Sequence, residues 1–160
     1  ARFSDAPKMQ QMMTDYQEEL KTLGFAGLGL KPSPHPTSRE FAGSAACADC
    51  HTKATEVFLS TPHSHATETL ETRTSPPRMH DPECLSCHVT GWEPQKYFPF
   101  TSGYLSLEET PHMTGNGCEN CHGPAARHVA VELGELEVDQ EEQERLRADL
   151  RLKVVENEGR

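Results

Sequence analysis

Three pentads of the form Cys-x-x-Cys-His carry the chemistry of this 160-residue chain: Cys47-Ala48-Asp49-Cys50-His51, Cys84-Leu85-Ser86-Cys87-His88 and Cys118-Glu119-Asn120-Cys121-His122. Two thiols at this spacing form thioethers with the two vinyl groups of one porphyrin, and the histidine that follows is held beneath the iron as its proximal ligand. All six cysteines lie inside the pentads. Zinc knuckles also use Cys-x-x-Cys, but two knuckles face one metal, and zinc gives no reason for a histidine after each. Disulfides or a thioredoxin-type motif leave the repeated fifth residue equally unexplained. The residues therefore point to three haem c groups, with Cys47, Cys50, Cys84, Cys87, Cys118 and Cys121 as attachment points and His51, His88 and His122 as proximal iron ligands.

Six histidines remain: His35, His63, His65, His80, His112 and His128. Imidazole is a favoured second axial ligand, so distal partners are sought among them. His128 follows His122 by six residues, at most about 21 Å of extended chain, and any helical turn stops it passing around the same porphyrin. It is expected to ligate a different haem. His63 is twelve residues beyond His51, about 18 Å if helical, and is also expected to reach a neighbour. Each such ligand staples two distant parts of the chain. His112 is the third candidate; His65 competes with His63, while His35 and His80 fall in expected loops and rank lower.

The elements that position these residues read as short helices. An amphipathic helix is expected over 5–23, with Asp5 as cap, Pro7 in the first turn and Gly24 as stop. Met9, Met12, Met13, Tyr16, Leu20 and Leu23 lie on one side of it at helical spacing, as a packing stripe rather than as haem ligands. Residues 25–42 are rich in Gly and Pro and read as a linker. Helices are expected over 49–59, 64–72 and 125–133, with a Pro-rich loop at 73–83. The aromatics Tyr97, Phe98, Phe100 and Tyr104 are expected against porphyrin faces and edges. A charged helix over 135–156, with Leu146, Leu150 and Val154 on its buried side, reads as a solvated arm. The organisation is thus an N-terminal helix over 1–24, a linker over 25–42, a trihaem domain over 43–134 and a charged C-terminal helix over 135–160. The pentads lie 37 and 34 residues apart, but nothing outside them repeats.

Hydrophobic residues make up 34% of the chain and aromatics 6%, few for an ordinary core. Three porphyrins supply the missing apolar bulk. The expected fold is mainly α with extensive loops and little sheet, a compact multihaem cytochrome c wrapped around closely packed haems. The formal charge of −10 argues against nucleic acid and anionic membrane, and suits a basic redox partner met by electrostatic steering. No apolar run approaches the roughly 20 residues of a membrane span. Haem c is attached outside the cytoplasm, so the protein is expected to be periplasmic or otherwise extracytoplasmic, and the chain to be a mature form or a fragment.

Beyond the pentads, three stretches resemble the cytochrome c-554 family, multihaem carriers that accept electrons from hydroxylamine oxidoreductase in ammonia oxidation. They are Thr61-Pro62-His63-Ser64-His65-Ala66, Cys87-His88-Val89-Thr90-Gly91 and Thr114-Gly115-Asn116-Gly117-Cys118-Glu119-Asn120-Cys121-His122-Gly123-Pro124, with His128 beyond. The resemblance covers about residues 43–130. It implies a mostly helical fold, closely packed haem pairs and bis-histidine ligation at most irons, with His63 and His128 at the positions of distal ligands. It also implies an open axial position at the second pentad, leaving His88 without a distal partner. The family has four haems, so a chain with three pentads is expected to be either truncated before a fourth or a three-haem variant.

The leading functional reading is an electron-transfer protein with three covalently bound haems, mostly bis-His ligated. Filled axial positions exclude substrate, and potential is then set by ligand, burial and nearby charge. The alternative is a redox enzyme, or a subunit of a larger redox complex, whose one open haem acts on a small nitrogen or oxygen species. No catalytic base stands out for such chemistry.

Overall fold

The computed structural model describes residues 6–152. Seven α-helices, short 3-10 turns and one two-stranded sheet make up the regular structure of these residues, as the mainly α expectation requires. Helix α1 (Pro7–Gly27) starts with Pro7 at its first position and kinks at Gly24, whose φ of 57° leaves the helical region. Its buried residues are Gln17 and Leu20, while Met9, Met12, Tyr16 and Leu23 are exposed. The apolar stripe expected to pack inward is therefore only partly used. Gln17 supplies the reason: its Nε2 donates to Asp81 Oδ2 at 3.0 Å, a buried bond that turns the helix toward the approach to the second pentad. Phe25 then meets Trp92 edge-on at 5.2 Å.

The Gly/Pro-rich stretch that follows lies against the body. Ser33 N–H donates to the Pro99 carbonyl, and the Ser33 carbonyl accepts from Thr101 N–H at 2.9 Å. Residues Ser44–Cys47 form a 3-10 turn, and α2 spans Thr52–Leu59, starting after the first pentad rather than within it. A 3-10 turn at Pro62–His65 leads into α3 (Ala66–Thr72). The second pentad is itself helical, at the end of α4 (Pro82–His88), where the Asp81 carboxylate accepts from Glu83 N–H as an N-cap. Strands β1 (Trp92–Glu93) and β2 (Phe98–Pro99) pair antiparallel, with Trp92 opposite Pro99. The third pentad forms α5 (Cys118–His122), followed by α6 (Ala126–Glu132) and α7 (Gln140–Asp149).

The core clusters Phe41, Leu70, Leu85, Val89, Trp92, Phe100, Tyr104 and Met113. Leu85 lies inside the second pentad and Val89 follows it, so that pentad is rooted in the core through its own intervening and flanking residues. Phe100 and Tyr104 are 4% and 3% exposed, and Phe100 stacks on Phe41 at 5.8 Å. Their expected place on porphyrin faces is corrected: protein side chains already enclose both rings. Trp92 Nε1 donates to the Tyr104 carbonyl at 2.7 Å, satisfying the one polar atom this indole brings into the core.

Val89-Thr90-Gly91 ties the second pentad to the third. Thr90 Oγ1 donates to the Gly115 carbonyl at 3.0 Å and accepts from Gly117 N–H at 3.1 Å, while Thr90 N–H donates to the Met113 carbonyl. Gly91, at φ +81°, lies directly against Gly103, and a Cβ on Gly103 would overlap the Gly91 carbonyl. Both neighbours there are backbone, so neither side can yield. Gly103→Ala is expected to cost at least about 3 kcal/mol, read as a lowered melting temperature of the haem-loaded protein; an unchanged melt would refute this close approach.

The C-terminal helix is docked, which corrects the solvated-arm expectation. Leu146 is 5% exposed, Arg147 makes paired 2.7 Å bonds with the Glu132 carboxylate, and Arg127 pairs with Glu142. Arg39 pairs with Asp149. Leu150 is half-buried, and Val154 lies outside the described residues.

Candidate functional site

The first and third pentads share one site. Cys47 and Cys118 are neighbours: burial pushes the Cys47 thiol up to about 11, with the adjacent Cys118 and Glu119 adding to the shift. A cavity of about 840 Å³ opens beside them, lined by Cys47, Cys50, His51, Cys118, His122 and His128 among others. That volume lies within the range that encloses cofactors.

Glu119, between the two cysteines of the third pentad, holds this arrangement. Its side chain is buried, and its carboxylate accepts from the N–H groups of Ala42 (2.9 and 3.1 Å), Gly43 (2.7 Å) and Ala125 (2.8 Å). One carboxylate thus joins the entry to the first pentad, the third pentad and the entry to α6. Asn120 beside it donates from Nδ2 to the Val89 carbonyl at 2.8 Å, joining the third pentad to the second. The Cys118 N–H donates to Ser44 Oγ. The two variable positions of the third motif are the cross-ties of the whole site.

Two of the three pentad histidines are oriented by hydrogen bonds. His88 Nδ1 lies 2.7 Å from the Ala66 carbonyl and His122 Nδ1 lies 2.7 Å from the Leu150 carbonyl. A carbonyl only accepts, so each Nδ1 carries the proton and each Nε2 is left as a lone-pair donor. This is the arrangement of a metal-ligating imidazole with its supporting partner. Thr67 adds a second tie at the second pentad: its Oγ1 donates to the His88 carbonyl at 2.6 Å and accepts from Gly115 N–H at 2.7 Å.

His128 projects from α6 into the shared cavity. Its Nδ1 is buried without a hydrogen-bond partner, and the nearest carboxylate oxygen, Glu132 Oε1, is 3.7 Å away. Burial holds this imidazole below its ordinary range, Glu132 opposes that, and His51 and Arg147 add to it. A neutral imidazole is the ligating form. His63 lies on the 3-10 turn pressed against the approach to the third pentad, where its carbonyl accepts from Asn116 N–H at 2.9 Å. The thiol pairs, the oriented rings of His88 and His122 and the partnerless nitrogen of His128 fit haem c.

The other histidines are placed differently. His35 packs edge-on to Phe41 and Phe100 and engages Thr37 Oγ1 at 2.7 Å. His65 is exposed and stands 3.4 Å from Glu68. His80 faces α1, where burial and Lys21 lower its pKa against the pull of Glu18. His112 lies against Gly43, just before the first pentad. Sequence reasoning missed Thr67, Glu119, Asn120 and Leu150; for Glu119 the only signal was an acidic residue inside a haem motif.

Residues 46–123 match the family model described as cytochrome c554 and c-prime. Over these residues the chain resembles the cytochrome c-554 family. It is 31% identical over 96 residues to cytochrome c-554 of Nitrosomonas europaea, a match covering 52% of this chain and 38% of that protein. The chain thus spans well under half the length of this curated relative. The reduced-state structure of cytochrome c554 from Nitrosomonas europaea aligns with a TM-score of 0.47 at 25% identity, covering 67% of this chain and 58% of that one. The matched residues contain all three pentads. No helix among the described residues is long and apolar enough to cross a membrane.

Proposed function

We propose that this cytochrome c-554 relative is an electron-transfer protein carrying three haem c groups, one on each pentad. The observation that carries the reading is the contact between Cys47 and Cys118 at the edge of one cavity holding His51, His122 and His128. Haems attached at adjoining thiols lie close together, as electron passage between them requires. When bound, each haem supplies an iron that cycles between ferric and ferrous; the protein sets its potential through ligand, burial and charge.

His128 is assigned as distal ligand to the haem on Cys47, Cys50 and His51, because it lines their cavity and six residues of partly helical chain do not carry it around the porphyrin of His122. His63 is assigned to the haem on Cys118, Cys121 and His122, because its turn is bonded to Asn116 at the approach to that pentad. Each assignment crosses between distant segments, as chain geometry required. The haem on Cys84, Cys87 and His88 is assigned no distal histidine, since His35 packs on Phe41 and Phe100, His80 faces α1, His65 is exposed beside Glu68 and His112 lies at the first pentad.

The protein acts outside the cytoplasm, where haem c is attached, and meets a basic redox partner through its −10 charge. A potentiometric titration followed by EPR tests the reading. Two low-spin ferric centres and one high-spin centre, at separate negative to modest potentials, are expected. A single high potential for all three would overturn the electron-transfer reading, and a high-spin signal from every haem would overturn the histidine assignments. Rising ionic strength is expected to slow electron exchange with a basic partner; a rate indifferent to salt would remove the steering role of the acidic surface.

A further inference from the structure

We propose that the C-terminal segment 139–152 tunes the haem of the third pentad, with Leu150 as the positioning residue that orients its proximal ligand. The proposal rests on that pentad carrying haem, and it concerns residues outside the matched span 46–123.

Helix α7 ends at Asp149, with Leu150 as its C-cap residue. The last carbonyls of a helix have no partner within the helix and carry its partial negative charge. Here one of them finds a partner, because the Leu150 carbonyl accepts from His122 Nδ1 at 2.7 Å. Two effects follow, and they act in the same direction. The hydrogen bond places electron density on the imidazole and makes it a stronger donor to iron. The negative helix end nearby favours the more positive ferric state. Both lower the potential of this one haem.

The three pentads differ in this respect. His88 is supported by the Ala66 carbonyl, within the haem domain. His122 depends on a segment 28 residues away in sequence. That segment is held by the burial of Leu146, by Arg147 on Glu132 and by Arg39 on Asp149. Ion pairs at this exposure contribute little alone, so Leu146 is the main anchor. Undocking α7 removes the acceptor from His122 without touching any thioether or iron ligand.

The test uses the full haem-loaded chain and the variants Leu146→Asp and Leu146→Met, with covalent haem counted on each by its pyridine haemochrome. Leu146→Asp is expected to raise one midpoint potential, changing the ferrous-to-ferric ratio of that haem roughly tenfold at fixed potential, which is 59 mV for a one-electron couple. The midpoint of the haem on His88, which lies outside the cavity shared by the first and third pentads, stays in place, and Leu146→Met leaves all three unchanged. A Leu146→Asp protein with three haems and unmoved midpoints overturns the proposal, as does a common shift of all three. A second measurement needs no variant: the His122 Nδ1 proton of the intact, 15N-histidine-labelled protein is expected to be slow to exchange with solvent. Fast exchange at that nitrogen also overturns the proposal. A haem count below three in the unaltered protein would instead strike at the trihaem reading itself.

Discussion

Replacing Glu119 by alanine is expected to lower the stability of the haem-loaded protein by about 4 kcal/mol. The buried carboxylate accepts from three backbone N–H groups, on Ala42, Gly43 and Ala125, at 2.7 to 3.1 Å. Bonds to a charged acceptor contribute about 1.5–3 kcal/mol each, and a buried donor left without a partner costs a similar amount. Water entering the vacated space recovers part of that, which is why the total falls short of the simple sum. In a chain of this length the loss corresponds to a fall in melting temperature of roughly 10 °C. Glu119→Gln keeps one acceptor oxygen but turns an amide NH₂ toward backbone donors, so it is expected to fall between the two. Thermal unfolding followed at the Soret band and in the far-UV checks both variants. A melt for Glu119→Ala within about 2 °C of the parent would show that the carboxylate does not tie the first and third pentads together.

His128→Ala is expected to convert one haem in three from low-spin to high-spin ferric iron, with the covalent haem count unchanged. The thioethers on Cys47 and Cys50 do not depend on the distal ligand, whereas the ring of His128 is the imidazole that α6 presents to the cavity of His51. His128→Met is the informative companion. A methionine there restores six-coordination with a thioether sulfur and raises the potential of that haem, as Met/His ligation does relative to bis-His. EPR and redox titration of the two variants check this. If His128→Ala leaves the spin state of every haem unaltered, His128 is not an axial ligand and its buried, partnerless nitrogen needs another explanation.

Much of the site was legible in sequence because its chemistry is written in local spacing. The pentads, the proximal histidines and the helical character around them all depend on residues within five positions of one another. Chain reach leads one to expect His128 to turn to a neighbouring haem, and α6 carries it into the cavity that the first and third pentads share. What was not legible depends on contacts between distant segments. Glu119 and Asn120 occupy positions that a haem motif leaves free, and nothing local marks them as acceptors for backbone 77 residues upstream and cross-ties to the second pentad. Leu150 acts through its carbonyl, which every residue possesses, so its identity carries no signal of that role.

The errors have the same origin. Residue type points the aromatic run 97–104 at porphyrin faces, yet Phe100 and Tyr104 close a core with Phe41 and Trp92. The methionine stripe of α1 has the spacing of a buried face, but one buried polar bond, Gln17 to Asp81, sets the rotation of the helix. The charged composition of α7 suggested a free arm, yet Leu146 is buried and the helix contributes Arg147 to the wall of the cavity.

The measurement that bears most directly on the central claim is the intact mass of the purified protein after denaturation in acid. Thioether-bound haem survives that treatment, while zinc and non-covalent haem are lost. The account predicts a mass equal to the polypeptide plus three haems, in one species. A mass equal to the bare polypeptide, or one lower by the hydrogens of formed disulfides, would contradict it and return the six cysteines to zinc or disulfide chemistry.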